Sequence, residues 1–147
     1  MKVESTEKPS VIYIEDLGNN KCLVALTTNV QVVETQNGEN KENNIKYVYD
    51  YYTLETINRS TLESDIQENF DLWLNFAKEK EYNEKAKVIR IQRDKMLTDT
   101  DWTQISDNSL SEKVKQEYQV YRQALRDIPE QPGFPYEVVF PVEPKEE

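Results

Sequence analysis

The sequence predicts an α+β fold: a small antiparallel β-meander packed on a helix, then an antiparallel helical hairpin with an extended, proline-rich C-terminal tail. Three observations predict it. Residues 10 to 57 are rich in β-branched and aromatic side chains broken by turn residues. Residues from about Asn58 to Ile128 contain no glycine or proline, which favours helices. Five of the six prolines fall at or after Pro129, where helices must stop.

The strands come first. Ser10–Asp16, "SVIYIED", is β-branched and aromatic, and "LGNN" at Leu17–Asn20 is a turn signal. "KCLVALTT" (Lys21–Thr28) and "NVQVVET" (Asn29–Thr35) follow as one bent strand or as two. Asn37-Gly38 in the Asn- and Glu-rich segment Gln36–Asn44 suits a type I′ turn inside a longer connection. From Ile45 to Ile57 the chain alternates, with Ile45, Tyr47, Tyr49 and Tyr51 on one face and Val48, Tyr52 and Leu54 on the other.

So small a sheet needs a helix against one face. Ser60-Thr61-Leu62-Glu63 fits a capping box, and Leu62, Ile66, Phe70, Trp73 and Ala77 recur at helical spacing with Leu74 beside them. The Tyr47–Tyr49–Tyr51 face is expected to lie beneath this helix rather than to act as a stacking platform for sugars or bases. Tyr82, Ala86, Ile89 and Met96 continue the stripe, interrupted by Arg93. Either one helix runs from about Ser60 to Thr98, or it breaks near Lys80–Asn83.

Ser109-Leu110-Ser111-Glu112 is a second capping box, followed by Leu110, Val114, Tyr118, Tyr121, Leu125 and Ile128 at spacings of four, four, three, four and three. Pro129 ends that stripe. Two helices joined by a short polar segment read as an antiparallel hairpin, and "PEQPGFPYEVVFPVEP" beyond it reads as extended chain. The expected division is residues 1–80, sheet plus helix, and residues 81–147, hairpin plus tail.

Composition bounds the function. A net charge of −10 repels phosphate backbones and anionic lipid, so neither nucleic acid nor a membrane surface is an expected partner. The chain has no histidine, which removes the commonest general base and metal ligand. Its one cysteine, Cys22, sits in an apolar run and reads as a small core residue. The polar N-terminus "MKVESTEKPS" does not read as a signal peptide, and no apolar run reaches the length of a membrane span, so a cytosolic protein is expected.

Phosphate-loop, dinucleotide, nucleophile-elbow and zinc-protease motifs are missing, so the expectation is a protein without catalysis or cofactor. "DTDWTQISD" has Asp99, Asp101 and Asp107 at the first, third and ninth places of a calcium loop. Gln104 and Leu110 stand where the glycine and the glutamate belong, so no metal is expected. Paired carboxylates such as Asp99 with Asp101, or Asp94 with Asp101, read as caps and loop solvation.

From Arg90 onward the chain resembles the small domain of phage tail assembly chaperones, which also ends many tail fibre assembly proteins. The residues that carry the likeness are Arg93-Asp94, Met96-Leu97, Thr100-Asp101-Trp102, Asp107, "YRQALRDIP" from Tyr121 to Pro129, Phe134-Pro135 and Phe140-Pro141. Met96 stands where a second leucine is usual, while Tyr118 and Phe140 stand where tryptophan is often found; all three keep apolar bulk. Residues 1–87 carry no such likeness.

The resemblance implies a non-enzymatic assembly factor that binds a phage tail fibre or baseplate protein in the host cytoplasm. The alternative is a stoichiometric adaptor retained in the virion tail between baseplate and fibre. Arg93, Asp94, Trp102, Tyr121, Arg122, Phe134 and Phe140 are the candidate protein-binding residues. The competing expectation is that these signature residues specify the fold. On that reading Trp102 folds back over Leu97, Leu110 and Tyr121, and Asp101 caps a backbone turn. Arg93 pairs with a carboxylate or with tail carbonyls, and Asp94 pairs across the hairpin with Arg122 or Arg126. The tail from Phe134 to Pro144 either forms an arm that adds a strand to a partner or packs on its own hairpin.

Overall fold

The computed structural model describes residues 1–36 and 43–145. The expected Asn37-Gly38 turn lies outside them. Internal contacts divide the chain into two units, Met1–Glu81 and Tyr82–Glu147. The elements are strands β1 (Lys2–Ser5), β2 (Ile12–Gly18), β3 (Lys21–Gln36) and β4 (Asn43–Ile57), then helices α1 (Leu62–Glu68), α2 (Phe70–Asp99) and α3 (Glu112–Arg126). The α+β class is thereby established, with an antiparallel four-stranded sheet followed by helices.

In the first unit the sheet order is β1-β4-β3-β2, the expected meander plus an edge strand. That edge strand comes from the polar N-terminus, where Val3 pairs with Tyr49 and Ser5 with Tyr47. Sequence reading gave no strand here because four residues with one apolar side chain carry almost no period-two signal. The hairpin between β2 and β3 closes on Asn19 and Asn20, both at positive φ (51° and 59°), with Gly18 paired to Lys21. Two consecutive left-handed residues are what a type I′ turn requires, and asparagine tolerates them. Asp16 Oδ1 accepts from the Gly18 amide at 2.8 Å and steadies the approach to that turn.

Strand β3 is one strand with an irregularity rather than two. Its register against β4 shifts between Thr28 and Gln31, where Asn29 adopts φ 54° and donates through Nδ2 to Asp50 Oδ2 at 2.7 Å. One extra residue on β3 reverses which of its side chains share a face with β4 beyond that point.

One sheet face meets the helices. Cys22, Val24, Leu26 and Leu54 are buried with Leu62, Ile66, Leu74 and Ala77, flanked by half-buried Ile12, Ile14, Tyr52, Phe70 and Trp73. Each such aliphatic side chain contributes about 1.5–3 kcal/mol on burial. Burial pushes the Cys22 thiol up, as does Asp16, against a smaller opposing effect of Arg59.

The expectation for the tyrosines is corrected. Tyr52 and Leu54 face the helices, so alternation turns Tyr49 and Tyr51, edge-to-face at 6.3 Å, to the other face. Burial raises the Tyr51 hydroxyl, helped by Tyr49, Tyr13 and Glu15, which share that second face. The wider apolar stripe of β3, not the more aromatic stripe of β4, decided which face the helices cover.

Neither capping box forms as expected. Thr61 precedes α1 without a side-chain cap; Ser64 Oγ donates instead to the Thr61 carbonyl, and Arg59 pairs with Asp65. The break between helices falls at Asn69, not near Lys80–Asn83. The Asn69 side chain donates to the Asp65 carbonyl at 3.2 Å and to its carboxylate at 3.1 Å. Asparagine offers the backbone a local partner that competes with helix propagation, whereas Lys80–Asn83 holds nothing that stops a helix, and α2 runs through it.

In the second unit α3 starts one signal later than expected. Ser111, not Ser109, is the cap, its Oγ accepting from the Val114 amide at 3.3 Å. The predicted stripe is the core: Val114, Tyr118, Tyr121, Leu125 and Ile128 are buried, with Ile89, Met96, Leu97, Leu110, Phe134, Val138 and Phe140 packed on them. Pro129 enters a 3₁₀ turn, Ile128–Glu130, where its missing N–H costs nothing.

Candidate functional site

The segment "TDTDWTQISD", which ends α2 and leads toward α3, has few apolar residues. It folds as a 3₁₀ turn, Asp101–Gln104, directly after α2. A 3₁₀ turn has three residues per turn, so side chains three apart share a direction. That geometry sorts the signature. Thr100 and Thr103 both point inward and are buried. Trp102 and Ile105, also three apart, point outward, 40% and 55% exposed.

The last carbonyls of a helix lack helical partners and carry its negative dipole end. At the end of α2 the Thr100 hydroxyl donates toward the Met96 carbonyl at 2.9 Å and the Leu97 carbonyl at 3.2 Å. Thr103 Oγ1 donates to the Thr100 carbonyl at 2.7 Å. Asn108 Nδ2 closes the segment on the carbonyls of Thr103 and Ile105 at 2.8 and 2.6 Å.

Arg122 of α3 completes this arrangement. Nη1 donates to the Leu97 carbonyl at 2.6 Å and to Thr100 Oγ1 at 2.8 Å, and Nη2 donates to Asp101 Oδ1 at 2.6 Å. The residue is 6% exposed, and its Nε has no hydrogen-bond partner among the described residues. A planar, permanently charged fork can serve a helix end, a hydroxyl and a carboxylate together, which an ammonium cannot. "TDW" and "YRQALRDIP", some twenty residues apart, are thus one hydrogen-bonded unit.

Residues 86–145 match the family model for the phage tail assembly chaperone protein. The match covers both halves of that unit and the tail. The match supports a general role in phage tail assembly. Neither a curated protein nor a solved structure matches the chain.

The candidate residues fare differently in this matched region. Tyr121 and Arg122 are buried. Burial raises the Tyr121 hydroxyl, followed by the nearby charges of Glu143 and Asp99. Arg93 pairs with the adjacent Asp94, its Nε and Nη2 donating to Oδ1 at 2.9 and 2.6 Å, so the expected carboxylate partner is its neighbour. The cross-hairpin ion pair is made by Asp101 with Arg122, not by Asp94. Asp101 therefore answers the arginine instead of capping a turn alone.

Trp102 is not the buried plug that was expected. Its ring meets Tyr118 edge-on at 6.1 Å and keeps an open side. A 3₁₀ turn that directs both threonines inward must direct the indole away from them. Phe134 and Phe140 lie half-buried on the hairpin core, so the tail takes the folded-back course. Phe134 meets Tyr82 edge-on at 6.3 Å, with the Arg90 guanidinium 5.4 Å from its ring centre. Gln131 fastens Val139 through both backbone groups, at 2.8 and 2.9 Å. A Cβ at position 133 would lie 2.3 Å from the Glu137 carbonyl oxygen, so the turn that returns the tail needs Gly133.

Sequence reading named Thr100 and Tyr118 without the parts they play, and did not single out Thr103, Ile105 or Gln131. Of these, the two threonines three apart beside Trp102 were the one legible signal. Among the described residues no helix is long and apolar enough to cross a membrane, and no three Cys, Asp or Glu side chains are grouped to hold a metal ion.

Proposed function

We propose that this chain holds a tail fibre or distal tail protein in the host cytoplasm during assembly and releases it as the tail forms. The observation that supports this reading is the pairing of a rigid turn with exposed apolar side chains. Trp102 and Ile105 stand outward on a segment whose inner side is tied by Arg122. Apolar groups held in place at a surface favour contact with another apolar surface, and a net charge of −10 keeps such a complex dispersed.

On this reading Trp102 and the exposed Asp94 meet the partner. Arg93, Tyr121, Arg122, Phe134 and Phe140 hold the frame. The division into a sheet-and-helix module, residues 1–80, and a hairpin module, residues 81–147, belongs to the same proposal, with the first module left to vary with the partner.

Co-expression tests it. The full chain is produced with each candidate tail fibre and distal tail protein, and the soluble fraction of the latter is measured. Soluble tail protein only in the presence of this chain is expected. Unchanged solubility for all of them overturns the reading. Recovery of the chain at fixed stoichiometry in purified particles replaces it with an adaptor role.

A further inference from the structure

The surface around Trp102 has a definite charge. Between Asp94 and Glu112 the chain carries five carboxylates and Lys95; Arg93 answers Asp94, Arg122 answers Asp101 and Lys115 answers Glu112, so Asp99 and Asp107 give the turn its negative charge. Arg122, the arginine that reaches into this turn, is buried and engaged. Across the Trp102–Tyr118 ring pair stands another carboxylate: the Tyr118 hydroxyl lies 3.5 Å from Glu143 Oε1, beside its 3.4 Å contact with the Pro144 carbonyl. Asp101 flanks the indole on the chain itself, with a side chain 64% exposed. Burial raises the Tyr121 hydroxyl, and the charges of Glu143 and Asp99 raise it further. An apolar ridge with an acidic margin results.

We propose that the Trp102–Ile105 ridge docks a partner segment in which aliphatic or aromatic anchors are flanked by lysine or arginine. Charge complementarity selects this occupant. An acidic or purely apolar segment would be repelled or would leave the margin unanswered, while a basic flank meets Asp99, Asp101, Asp107 and Glu143 and speeds encounter. An exposed indole beside a tyrosine gives an aromatic anchor or a cation a face to rest on. Rings of this kind dominate binding energy at protein contacts. A strongly acidic chain also suits such an occupant because it masks the segment's positive charge until assembly. This inference rests on the assembly-factor reading above and names the site and partner chemistry within it.

The test uses the full chain and three fluorescein-labelled peptides of equal length. One alternates lysine with leucine and phenylalanine, one has the same lysines with serine, and one has glutamate with the same apolar residues. Fluorescence anisotropy is expected to show binding of the lysine–apolar peptide, weakening with salt, and at least about tenfold weaker binding of the other two. Trp102→Ala and Ile105→Ser should each weaken it by about tenfold or more, whereas Val120→Ser, on exposed α3 surface, should leave it unchanged. Ile105 stands outside the buried core cluster of the hairpin, so its variant keeps the test meaningful if Trp102→Ala folds poorly.

Equal binding of the serine or glutamate peptide overturns the proposal, as does wild-type affinity in both ridge variants. Self-association of the chain that Trp102→Ala abolishes would make the occupant a second copy and overturn it equally. If ridge variants still solubilise a tail protein in co-expression, only this site fails; if the wild type solubilises none, the function reading fails first.

Discussion

Replacing Arg122 by methionine tests the joint between the two signature segments. Methionine retains most of the stem's packing and removes the guanidinium. Three hydrogen bonds are lost, to the Leu97 carbonyl, to Thr100 Oγ1 and to Asp101 Oδ1. The first two acceptors are buried or half-buried, and a net loss of roughly 1–1.5 kcal/mol each is reasonable for bonds from a charged donor. Asp101 is mostly exposed and regains water, so its ion pair adds only about 0–1 kcal/mol. Relief from burying a charge whose Nε is unanswered offsets part of the total. The expected loss is about 2–3 kcal/mol, or a Tm decrease of roughly 10–20 °C if the second unit melts as a domain of its size. Thermal unfolding followed by near-ultraviolet circular dichroism measures it. The exposed Arg126 on the same helix is the control, and Arg126→Met should lie within about 0.5 kcal/mol of wild type. If Arg122→Met melts within a degree or two of wild type, the argument that Arg122 joins the signature segments is refuted.

Other outcomes follow from the same coordinates. Leu125 is completely buried, so Leu125→Ala should cost about 2–5 kcal/mol in urea unfolding. Ser111 caps α3 through the Val114 amide, and Ser111→Ala should cost about 1 kcal/mol by the same measure. Trp102→Ala should cost only about 1–2 kcal/mol in thermal unfolding, because the ring keeps one open side and loses mainly its pairing with Tyr118. The hydroxyls of Tyr51 and Tyr121 are raised in the folded state, so the unfolded chain releases these protons first. Stability from this source is therefore whole below about pH 10 and is lost as pH rises beyond it. Urea midpoints taken across that range should fall, and Tyr121→Phe should flatten the fall.

The fold was legible where one period dominated. Leu110 to Ile128 repeat every three or four residues, and the side chains that repeat are those that pack together. Leu62, Ile66 and Ala77 likewise pack on the sheet at their helical spacing, but against Cys22, Val24, Leu26 and Leu54 rather than the tyrosine face expected beneath them. Reading failed where a single interaction decided the outcome, distant for β1 and local for the helix break. Strand β1 exists because β4 offers an edge, not because "KVES" prefers extension. The α1–α2 break depends on one asparagine amide. The site was half legible: the residues of the signature were found, but their partners were not. Nothing in spacing says that Arg122 reaches Asp101 rather than Asp94, because the choice depends on how far α2 extends before its last carbonyls turn.

The same reasoning explains why a tryptophan stands among aspartates. A ten-residue segment with only two apolar side chains has no core to fold around, so its shape must come from hydrogen bonds. Those bonds come from Thr100, Thr103, Asn108 and Arg122, which occupy the inner side of the turn. With the inner side filled by polar groups, a large apolar ring has no place there. Inside this chain the ring meets Tyr118 edge-on and stays 40% exposed. A half-exposed ring held in place by such neighbours is what the proposed docking of a partner segment requires. Within this turn Thr100, tied by Arg122 of α3, and Thr103 face inward, and Trp102 and Ile105 face outward.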